Sequence, residues 1–344
     1  MLTGVRRKSF LTPSGETNWL WYRIANRARP QLSNAYIMIV NPFDDPQQFA
    51  RSHMSKVLIW GLKRRGIEWV LRNPVRQRFN KERFDAVLCW PYGYRESPGF
   101  LQDCVELEER ARDSGVPVVN SLAGCDLCHS WCLRLWQAAG IQCANYQHIS
   151  RWKDIHLDYP LILRTDNLHL GLNMQLAIDA KEAKRILRRK IIPPLDVAIE
   201  FVDTIGDDSY YRKWRSHVIG NTVIPRQVQL CRTWKVNLDA AECCPESLAE
   251  NQAFIAEGEP EAELVAFAAR ALNADVIALD YSKKPDGSYI FWEGNRNFDL
   301  SIGGEMWRQY QSTAGFSDDE CVEGVRAIGD AITDLIIDRV QSLY

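Results

Sequence analysis

Two carboxylates and an amide lie in a predicted β-hairpin near the end of the chain, where they could bind a metal ion. Residues 275–300 (DVIALDYSKKPDGSYIFWEGNRNFDL) contain two strand patterns on either side of a Pro-Asp-Gly turn signal. With Asp-Gly as a two-residue loop, Asp280 pairs directly with Glu293, and Asn295 projects from the same face. Opposed like charges are unfavourable, and carboxylate and amide oxygens suit Mg²⁺. The spacing therefore predicts a Mg²⁺ site.

The alternative for this hairpin is a polar face with a structural role only. Arg296 or a lysine would then neutralise the carboxylates, and a one-residue bulge would shift the pairing of the strands. Protein sites for Mg²⁺ typically supply one or two carboxylates and leave the other positions to water and nucleotide phosphates. A metal here would accordingly imply a phosphate-bearing ligand. Both interpretations stay open on these residues alone.

Upstream of residue 120, short apolar runs alternate with segments of helical spacing. The predicted strands are 35–41 (AYIMIVN), 84–90 (FDAVLCW) and 116–120 (VPVVN), and the predicted helices are 52–65 and 97–114. This order is a βαβ signature, so we expect a small α/β domain. A ligand could sit beyond the ends of its strands.

Strands and helices follow in mixed order downstream of residue 120. Helical spacing ends at Gly140, and Asp179 with Glu182 three residues later resembles a capping box. The predicted strands are 159–164, 172–178, 197–202, 212–219 and 222–230, with the hairpin at 276–293; the predicted helices are 122–139, 181–191, 261–272 and 318–343.

The hairpin residues Asp280, Glu293 and Asn295 are similar to the metal-binding end of the ATP-grasp superfamily of ATP-dependent carboxylate-amine ligases. The resemblance covers about residues 36–310 and includes a strand, helix and Gly-Ile entry before the first lobe. It implies an α/β pre-domain followed by two α+β lobes that clasp Mg-ATP. The expected boundaries are 1–34 for a basic arm, 35–120 for the pre-domain, 121–199 for the first lobe, 200–315 for the second lobe with the metal site, and 316–344 for a terminal helix.

The resemblance also implies roles for residues upstream of the hairpin. Arg164 ends the strand PLILR at a position where the family has a lysine, and it would contact the ATP phosphates. In VAIEFVD, the backbone of Phe201 and Val202 would meet the adenine base, and Glu200 would meet its exocyclic amine. Arg215 matches a family position near the phosphates or the reacting carboxylate, which makes it the candidate catalytic residue.

The sequence departs from the family at two features that bind phosphate. The family uses two lysines, but the second is here Arg164, and the first aligns near His129 or Ser130 without any lysine. The planar fork of arginine can hold phosphate with a different reach. The loop 165–172, which occupies the place of the mobile phosphate loop, has only one glycine, so fewer backbone amides can approach the nucleotide.

The activity that the resemblance implies is ADP-forming carbon-nitrogen ligation. A substrate carboxylate would attack the γ-phosphate of ATP, and an amine would displace phosphate from the acyl phosphate to form an amide or peptide bond. The substrates would be small-molecule or peptide carboxylates and amines, whose identity the sequence does not define. Two alternatives stay open: a catalytically impaired nucleotide-binding or structural protein of the same fold, and an ATP-grasp phosphotransferase.

Composition limits the class of protein. The 344 residues carry a formal net charge of -2, and residues 1–34 hold six basic and one acidic side chain, so the remainder is acidic and argues against nucleic-acid binding. No apolar run approaches membrane-spanning length, and we expect no membrane association. Ten cysteines without a secretory signal indicate reduced thiols and a cytoplasmic protein. A transit peptide in the Arg-rich start and a homo-oligomer stay open.

A cysteine cluster resembles a cofactor-attachment motif. Residues 125–129 (CDLCH) match c-type haem attachment, and Cys132 extends the spacing toward that of an iron-sulfur site. On a helix, however, Cys125, Cys128 and Cys132 would fall at i, i+3 and i+7, which is the spacing of a buried stripe. We therefore expect these cysteines to pack in the core.

Basic residues also cluster in two predicted elements. Residues 185–190 (RILRRK) form a cationic run that is typical of a solvated helix face rather than of a phosphate site. By strand alternation, Lys213 and Arg215 share one face with Tyr211, where contact with an anion is the alternative to solvation.

Overall fold

The computed structural model describes most of the chain after residue 34. The described residues are 35–43, 45–49, 52–74, 84–91, 99–126, 128–168, 171–189, 191–237, 240–242, 244–296, 298 and 318–342. The chain divides into two compact units: unit 1 takes in Met1–Gly124, Asn297–Ile302 and Val322–Tyr344, and unit 2 takes in Cys125–Arg296 and Gly303–Cys321. The predicted basic arm lies outside the described residues, and the finer boundaries at 120, 199 and 315 stay predictions.

Unit 1 contains a parallel four-stranded sheet in the order β2-β1-β3-β4. Its strands are β1 (Tyr36–Val40), β2 (Glu68–Arg72), β3 (Ala86–Cys89) and β4 (Val118–Val119), and its first helices are α1 (Pro46–Phe49), α2 (His53–Arg65) and α3 (Phe100–Asp113). All five residues of β1 are buried, as expected for the centre of a parallel sheet. The predicted βαβ order is confirmed, and β2 is a strand that the sequence pattern did not predict.

Local signals in the sequence define the ends of α2. The Ser52 hydroxyl accepts a hydrogen bond from the Ser55 amide at 3.4 Å, which caps the helix start. Gly66 ends the helix in the left-handed region, with φ 69°. In the middle of α2, a Cβ on Gly61 would lie 2.6 Å from the carbonyl oxygen of Gly329, which belongs to the C-terminal helix. Glycine at position 61 thus permits the two helix backbones to approach closely.

Unit 2 contains two antiparallel sheets. The first has the order β5-β8-β6-β7 and the second the order β10-β9-β11-β12. The strands are β5 (Tyr146–His148), β6 (Leu161–Arg164), β7 (Gln175–Ala177), β8 (Val197–Glu200), β9 (Tyr211–Ile219), β10 (Thr222–Cys231), β11 (Val276–Lys283) and β12 (Tyr289–Asn295). The helices of unit 2 are α4 (His129–Ala138), α5 (Ala180–Leu187), α6 (Pro245–Glu257) and α7 (Ala262–Ala271). The C-terminal helix α8 (Asp318–Gln341) belongs to unit 1 from Val322 onward.

An aromatic core joins the helices of unit 2 to its second sheet. Trp136 of α4 is fully buried, its ring centroid lies 5.5 Å from that of Phe291, and its Nε1 donates to the Ala268 carbonyl at 2.9 Å. Tyr281 also packs on Phe291, at 5.6 Å between centroids. These contacts bury one face of the second sheet and leave its other face to polar side chains. None of the helices in the described part of the chain is long and apolar enough to cross a membrane.

The prediction of one long helix over residues 122–139 is wrong, because α4 begins only at His129. Gly124 adopts a positive φ of 70°, which is incompatible with a continuing helix, and Cys128 caps α4 from an extended conformation. The three cysteines therefore do not form a helical stripe. Cys132 is buried in the core, whereas Cys125 and Cys128 are half-buried.

Candidate functional site

The β11-β12 hairpin pairs Asp280 with Glu293 as predicted, although the predicted loop is wrong. The amide of Lys284 donates to the carbonyl of Ser288 at 2.8 Å, which leaves a three-residue loop in which Gly287 has a φ of 82°. This loop shifts the pairing near the turn by one residue. A bulge next to Asp280 shifts it back, so Asp280 and Glu293 face each other.

Asp280 is held by two cations of the neighbouring strand β9. The Nε of Arg215 donates to its Oδ1 at 2.6 Å and Nη2 donates to Oδ2 at 2.8 Å, while Lys213 Nζ lies 3.3 Å from Oδ2. Strand pairing sets Arg215 directly opposite Asp280. Burial raises the pKa of Asp280, but Arg215 and Lys213 outweigh burial and hold this pKa below its usual value. Asp280 is thus an ionised carboxylate in a cationic setting.

The remaining hairpin residues have different partners. Asn295 lies opposite Ala278, two residues along the strand from Glu293 and on the same side of the sheet. Arg296 Nη2 donates to the carbonyls of Leu272 and Asn273 at 2.6 and 2.7 Å, at the end of α7. Within the described ranges, no three His, Cys, Asp or Glu side chains form a metal-binding group. The predicted metal set therefore consists of two carboxylates and one amide.

Glu293 contacts His129, which is buried beside Arg164. The His129 Nε2 lies 3.1 Å from Glu293 Oε1, and its Nδ1 lies 2.9 Å from the Asp166 carbonyl. Arg164 Nη2 lies 2.9 Å from both ring nitrogens of His129 and donates to the Leu168 carbonyl at 2.6 Å. Arg164 Nε is buried, and no residue of the described chain accepts a hydrogen bond from it. Burial lowers the pKa of Arg164, an effect that Glu293 and Asp166 oppose.

A carboxylate from the loop after β6 occupies the start of α4. Asp166 Oδ1 accepts from the Ser130 amide at 2.8 Å, and its Oδ2 accepts from the Ser130 hydroxyl. The amide of Asp166 donates in turn to Asp196 Oδ1 at 2.8 Å. Helix starts present unpaired amides that attract anions, and Asp166 satisfies two of them here: the Ser130 amide through its carboxylate and the His129 amide through its carbonyl at 3.3 Å. His129 and Ser130, which the resemblance aligns near the first phosphate-binding lysine, thus lie at a helix start that an internal carboxylate already caps.

Lys235, which the sequence patterns did not single out, lies against Gly171, the only glycine of the loop 165–172. A Cβ on Gly171, which has a φ of 67°, would lie 2.7 Å from Lys235 Cε and 3.5 Å from Asn237 Nδ2. The neighbouring residue, Trp234, meets the ring of Phe201 edge-on at 6.1 Å between centroids. No motif marks Lys235, because its approach to Gly171 depends on how two distant segments fold together.

The predicted adenine-binding segment follows β8. Glu200 Oε2 accepts hydrogen bonds from the Asn145 amide at 3.1 Å and from its Nδ2 at 2.8 Å, which orients the carboxylate. The Phe201 amide donates to the Pro160 carbonyl at 3.1 Å. In contrast, the backbone of Val202 makes no hydrogen bond with any described residue. The Phe201 amide is thus already hydrogen-bonded within the protein, whereas the Val202 amide can bind a ligand.

Comparisons with known proteins identify the fold. The sequence matches no family model and no curated protein. Among solved structures, the chain is similar to the ATP-grasp ligase PsnB complexed with a minimal precursor, with a TM-score of 0.50, 15% identity and coverage of 87% of this chain and 99% of that chain. PsnB complexed with precursor peptide PsnA2 and AMPPNP matches with a TM-score of 0.50, 14% identity and coverage of 87% and 98%. A RimK domain ATP-grasp protein from Sphaerobacter thermophilus matches with a TM-score of 0.48, 18% identity and coverage of 87% and 99%.

The likeness to PsnB shows that this chain has an ATP-grasp-like fold, with a parallel N-terminal sheet and two antiparallel sheets. The resemblance and the fold class expected from the sequence are confirmed. The second antiparallel sheet carries Arg215, Asp280, Glu293 and Asn295, and Arg164 reaches Glu293 through His129.

Proposed function

We propose that the protein is an ATP-dependent carboxylate-amine ligase that forms ADP and acts through an acyl phosphate. The observation that carries this proposal is the opposed pair Asp280 and Glu293, with Asp280 held by Arg215, on an ATP-grasp-like fold. PsnB, which shares the fold, was solved with AMPPNP and a precursor peptide. By analogy, the proposed substrates of this chain are a nucleoside triphosphate and a small molecule or peptide that carries a carboxylate.

The donor chemistry of the hairpin fits Mg²⁺. Asp280 and Glu293 supply carboxylate oxygens and Asn295 supplies an amide oxygen, which is the donor set that this cation prefers. When bound, Mg²⁺ would neutralise negative charge on the phosphates during transfer. In the protein alone, Arg215 and Lys213 neutralise Asp280 instead, and the His129 ring contacts Glu293.

The protein's own residues would position the reactants. Arg164 would donate its buried Nε to phosphate, and Lys235 would supply an ammonium group beside the glycine of the loop 165–172. The Val202 amide would bind the adenine, and Arg215 would orient the substrate carboxylate. A carboxylate oxygen then attacks the γ-phosphorus as the bond to ADP breaks, and an amine attacks the acyl carbon as phosphate leaves.

Replacement of Arg164 tests the phosphate assignment. Arg164→Ala should weaken nucleotide binding about 10- to 150-fold, because a charge-assisted contact contributes about 1.5–3 kcal/mol. Arg164→Lys should restore part of this affinity, since it keeps the charge but loses the planar fork. Calorimetric titration with Mg-ATP measures both variants against Arg134→Ala, a matched change at an exposed arginine of α4. Equal affinities for all three variants would contradict the phosphate role of Arg164.

Replacement of Glu293 tests the metal assignment separately. Glu293→Gln should lower the Mg²⁺ dependence of nucleotide binding, because the amide offers the metal a neutral ligand in place of a charged one. Glu263→Gln, at an exposed position of α7, removes the same charge and should leave the Mg²⁺ dependence unchanged. If the two variants respond equally to Mg²⁺, the hairpin does not bind the metal.

A catalytically impaired nucleotide-binding protein is the second candidate, and the pairing of charges within the site favours it. Asp280 is held by Arg215, Glu293 contacts His129, and Asp166 caps the start of α4. Incubation with ATP, a panel of carboxylates and hydroxylamine distinguishes the two candidates. A ligase would release ADP and form a hydroxamate, whereas nucleotide binding without hydroxamate across amino acids, peptides and small acids would favour the impaired protein.

A further inference from the structure

The region around α5 concentrates positive charge on a chain that is acidic overall. Residues 178–192 contain six basic and two acidic side chains, although the whole chain has a net charge of -2. Lys181, Arg185, Arg188 and Arg189 are exposed. Both acids serve the helix start: Asp179 accepts from the Glu182 amide at 2.7 Å, and Glu182 accepts from the Ile178 amide at 3.2 Å.

The cations of α5 are poorly compensated. Lys181 with Arg185 and Lys184 with Arg188 are like-charged neighbours at i, i+4, an arrangement that weakens a helix by about 0.2–0.5 kcal/mol per pair. Among the described cations of this region, Glu182 pairs with Arg185, at 2.8 Å, while Lys184 lies over the ring of Trp152. Lys181, Arg188 and Arg189 contact no carboxylate in the part of the chain that the structure describes. An anion from outside would therefore relieve repulsion within α5.

The strand that precedes α5 has an open edge. β7 lies at the end of the first sheet of unit 2, and β6 is its sheet neighbour among the described strands. Such an edge presents backbone amides and carbonyls to which another chain can add as a strand. α5 packs on the same sheet through Ala183 and Ile186, which are buried against Leu161 and Ala177. Alternate side chains of an added strand would point to the face that α5 covers.

Exposed apolar side chains flank this edge. Ile178 directly follows β7 and is 64% exposed, while Leu172 precedes β7 and is 55% exposed. Ile192 follows the cationic run and is 89% exposed. Asn173 Nδ2 donates to the Pro193 carbonyl at 3.4 Å, which brings the segments of Leu172 and Ile192 together.

We propose that β7 and α5 form a docking surface for an extended, acidic segment of another polypeptide. The segment would add to the edge of β7, set its carboxylates against Lys181, Arg188 and Arg189, and cover the apolar side chains at both ends. A lipid surface fits less well, because the apolar face of α5 is buried in the protein core and cannot insert. Nucleic acid offers phosphates but no strand backbone for the open edge.

Fluorescence anisotropy with the full chain tests this surface independently of ATP binding. The probe is a dye-labelled 12-residue peptide that alternates glutamate and valine. The triple variant Lys181→Glu, Arg188→Glu, Arg189→Glu should weaken binding about tenfold or more, because each exposed ion pair changes affinity about 1.4- to fivefold and reversal adds repulsion. The control Lys56→Glu, Lys63→Glu, Arg110→Glu makes the same charge change at exposed positions of unit 1 and should retain binding.

A second peptide tests the strand addition without changing the protein. N-methylation of every backbone amide removes all backbone donors but keeps all charges, so it should abolish most of the binding. Equal binding of the methylated peptide, or equal losses in the two triple variants, would overturn the proposal. Preferential binding of phosphatidylserine vesicles or of single-stranded RNA over the peptide would overturn it as well.

Discussion

Removal of Arg215 should expose how strongly Asp280 depends on its cations. Asp280 is 2% exposed and shares two hydrogen bonds with Arg215, at 2.6 and 2.8 Å. Arg215→Leu removes this partner and leaves Lys213, whose Nζ lies 3.3 Å from Oδ2, as the remaining cation beside the carboxylate. The free energy of unfolding of unit 2 should therefore fall.

The size of this loss follows from the geometry. Two unit charges about 4 Å apart attract by about 4 kcal/mol at an effective dielectric constant of about 20. Loss of one partner from a buried pair costs about 3–5 kcal/mol, because the other charge stays buried without compensation. Lys213 retains part of the compensation, and the Arg215 side chain is 22% exposed, so water can reach the vacated space. We expect a loss of about 3 kcal/mol.

Urea denaturation of four proteins measures this effect: the parent, Arg215→Leu, Asp280→Leu, and the double variant. The double variant should recover most of the loss, because apolar replacement of both partners leaves no buried charge. Tryptophan fluorescence reports on both units, through Trp136 and Trp214 in the core of unit 2 and Trp90 in unit 1, and the Arg215→Leu effect is expected in the contribution of unit 2. A loss below about 1 kcal/mol for Arg215→Leu, or a double variant as unstable as both single variants added together, would refute the reasoning.

Two further predictions concern stability. Arg212 hydrogen-bonds to Asp208 and lowers the pKa of that carboxyl from 3.8 to about 2, so the pair stabilises the protein above about pH 4 and is lost as the pH falls toward 2. Asp208→Asn should lower the free energy of unfolding by at most about 1 kcal/mol above pH 4, because the Asp208 side chain is 48% exposed. Unfolding measured as a function of pH should show the difference in stability between the parent and the variant vanish near pH 2. A difference that stays constant with pH would contradict this prediction. In unit 1, Gly61→Ala should lower the free energy of unfolding by about 1–3 kcal/mol, because the added Cβ would lie 2.6 Å from the carbonyl oxygen of Gly329. Thermal unfolding measures this loss. An unchanged midpoint would show that the two helices can move apart at no cost.

The hairpin shows what periodicity and turn signals can predict. Alternating apolar residues located both strands, and the Pro-Asp-Gly signal located the turn, because these features act over a few residues. These local signals could not predict the loop length or the bulge, because both depend on how β11 also pairs with β9. The predicted opposition of Asp280 and Glu293 holds only because the longer loop and the bulge shift the pairing in opposite directions.

Other elements were missed because their signals are weak or distant. α6 begins with a proline at its first turn, a known start signal, but few of its residues are buried and its apolar spacing is poor. His129 and Glu293 are separated by 164 positions in the sequence, and only the folded sheets bring them within 3.1 Å. The same holds for Lys235 beside Gly171. Single-sequence patterns carry no information about such contacts, so the family resemblance supplied the roles that spacing did not.

The pairing of charges within the site constrains how a nucleotide could bind under the proposed function. Asp280 and Glu293 already have cationic or imidazole partners, so a metal alone must compete with Arg215, Lys213 and His129. A triphosphate alone would meet these cations while they are engaged with carboxylates. When both arrive together, the carboxylates can turn to the metal and the cations to the phosphates, so each buried charge keeps a partner. Because coupling between two ligands is reciprocal, Mg²⁺ should then strengthen ATP binding by the same factor as ATP strengthens Mg²⁺ binding.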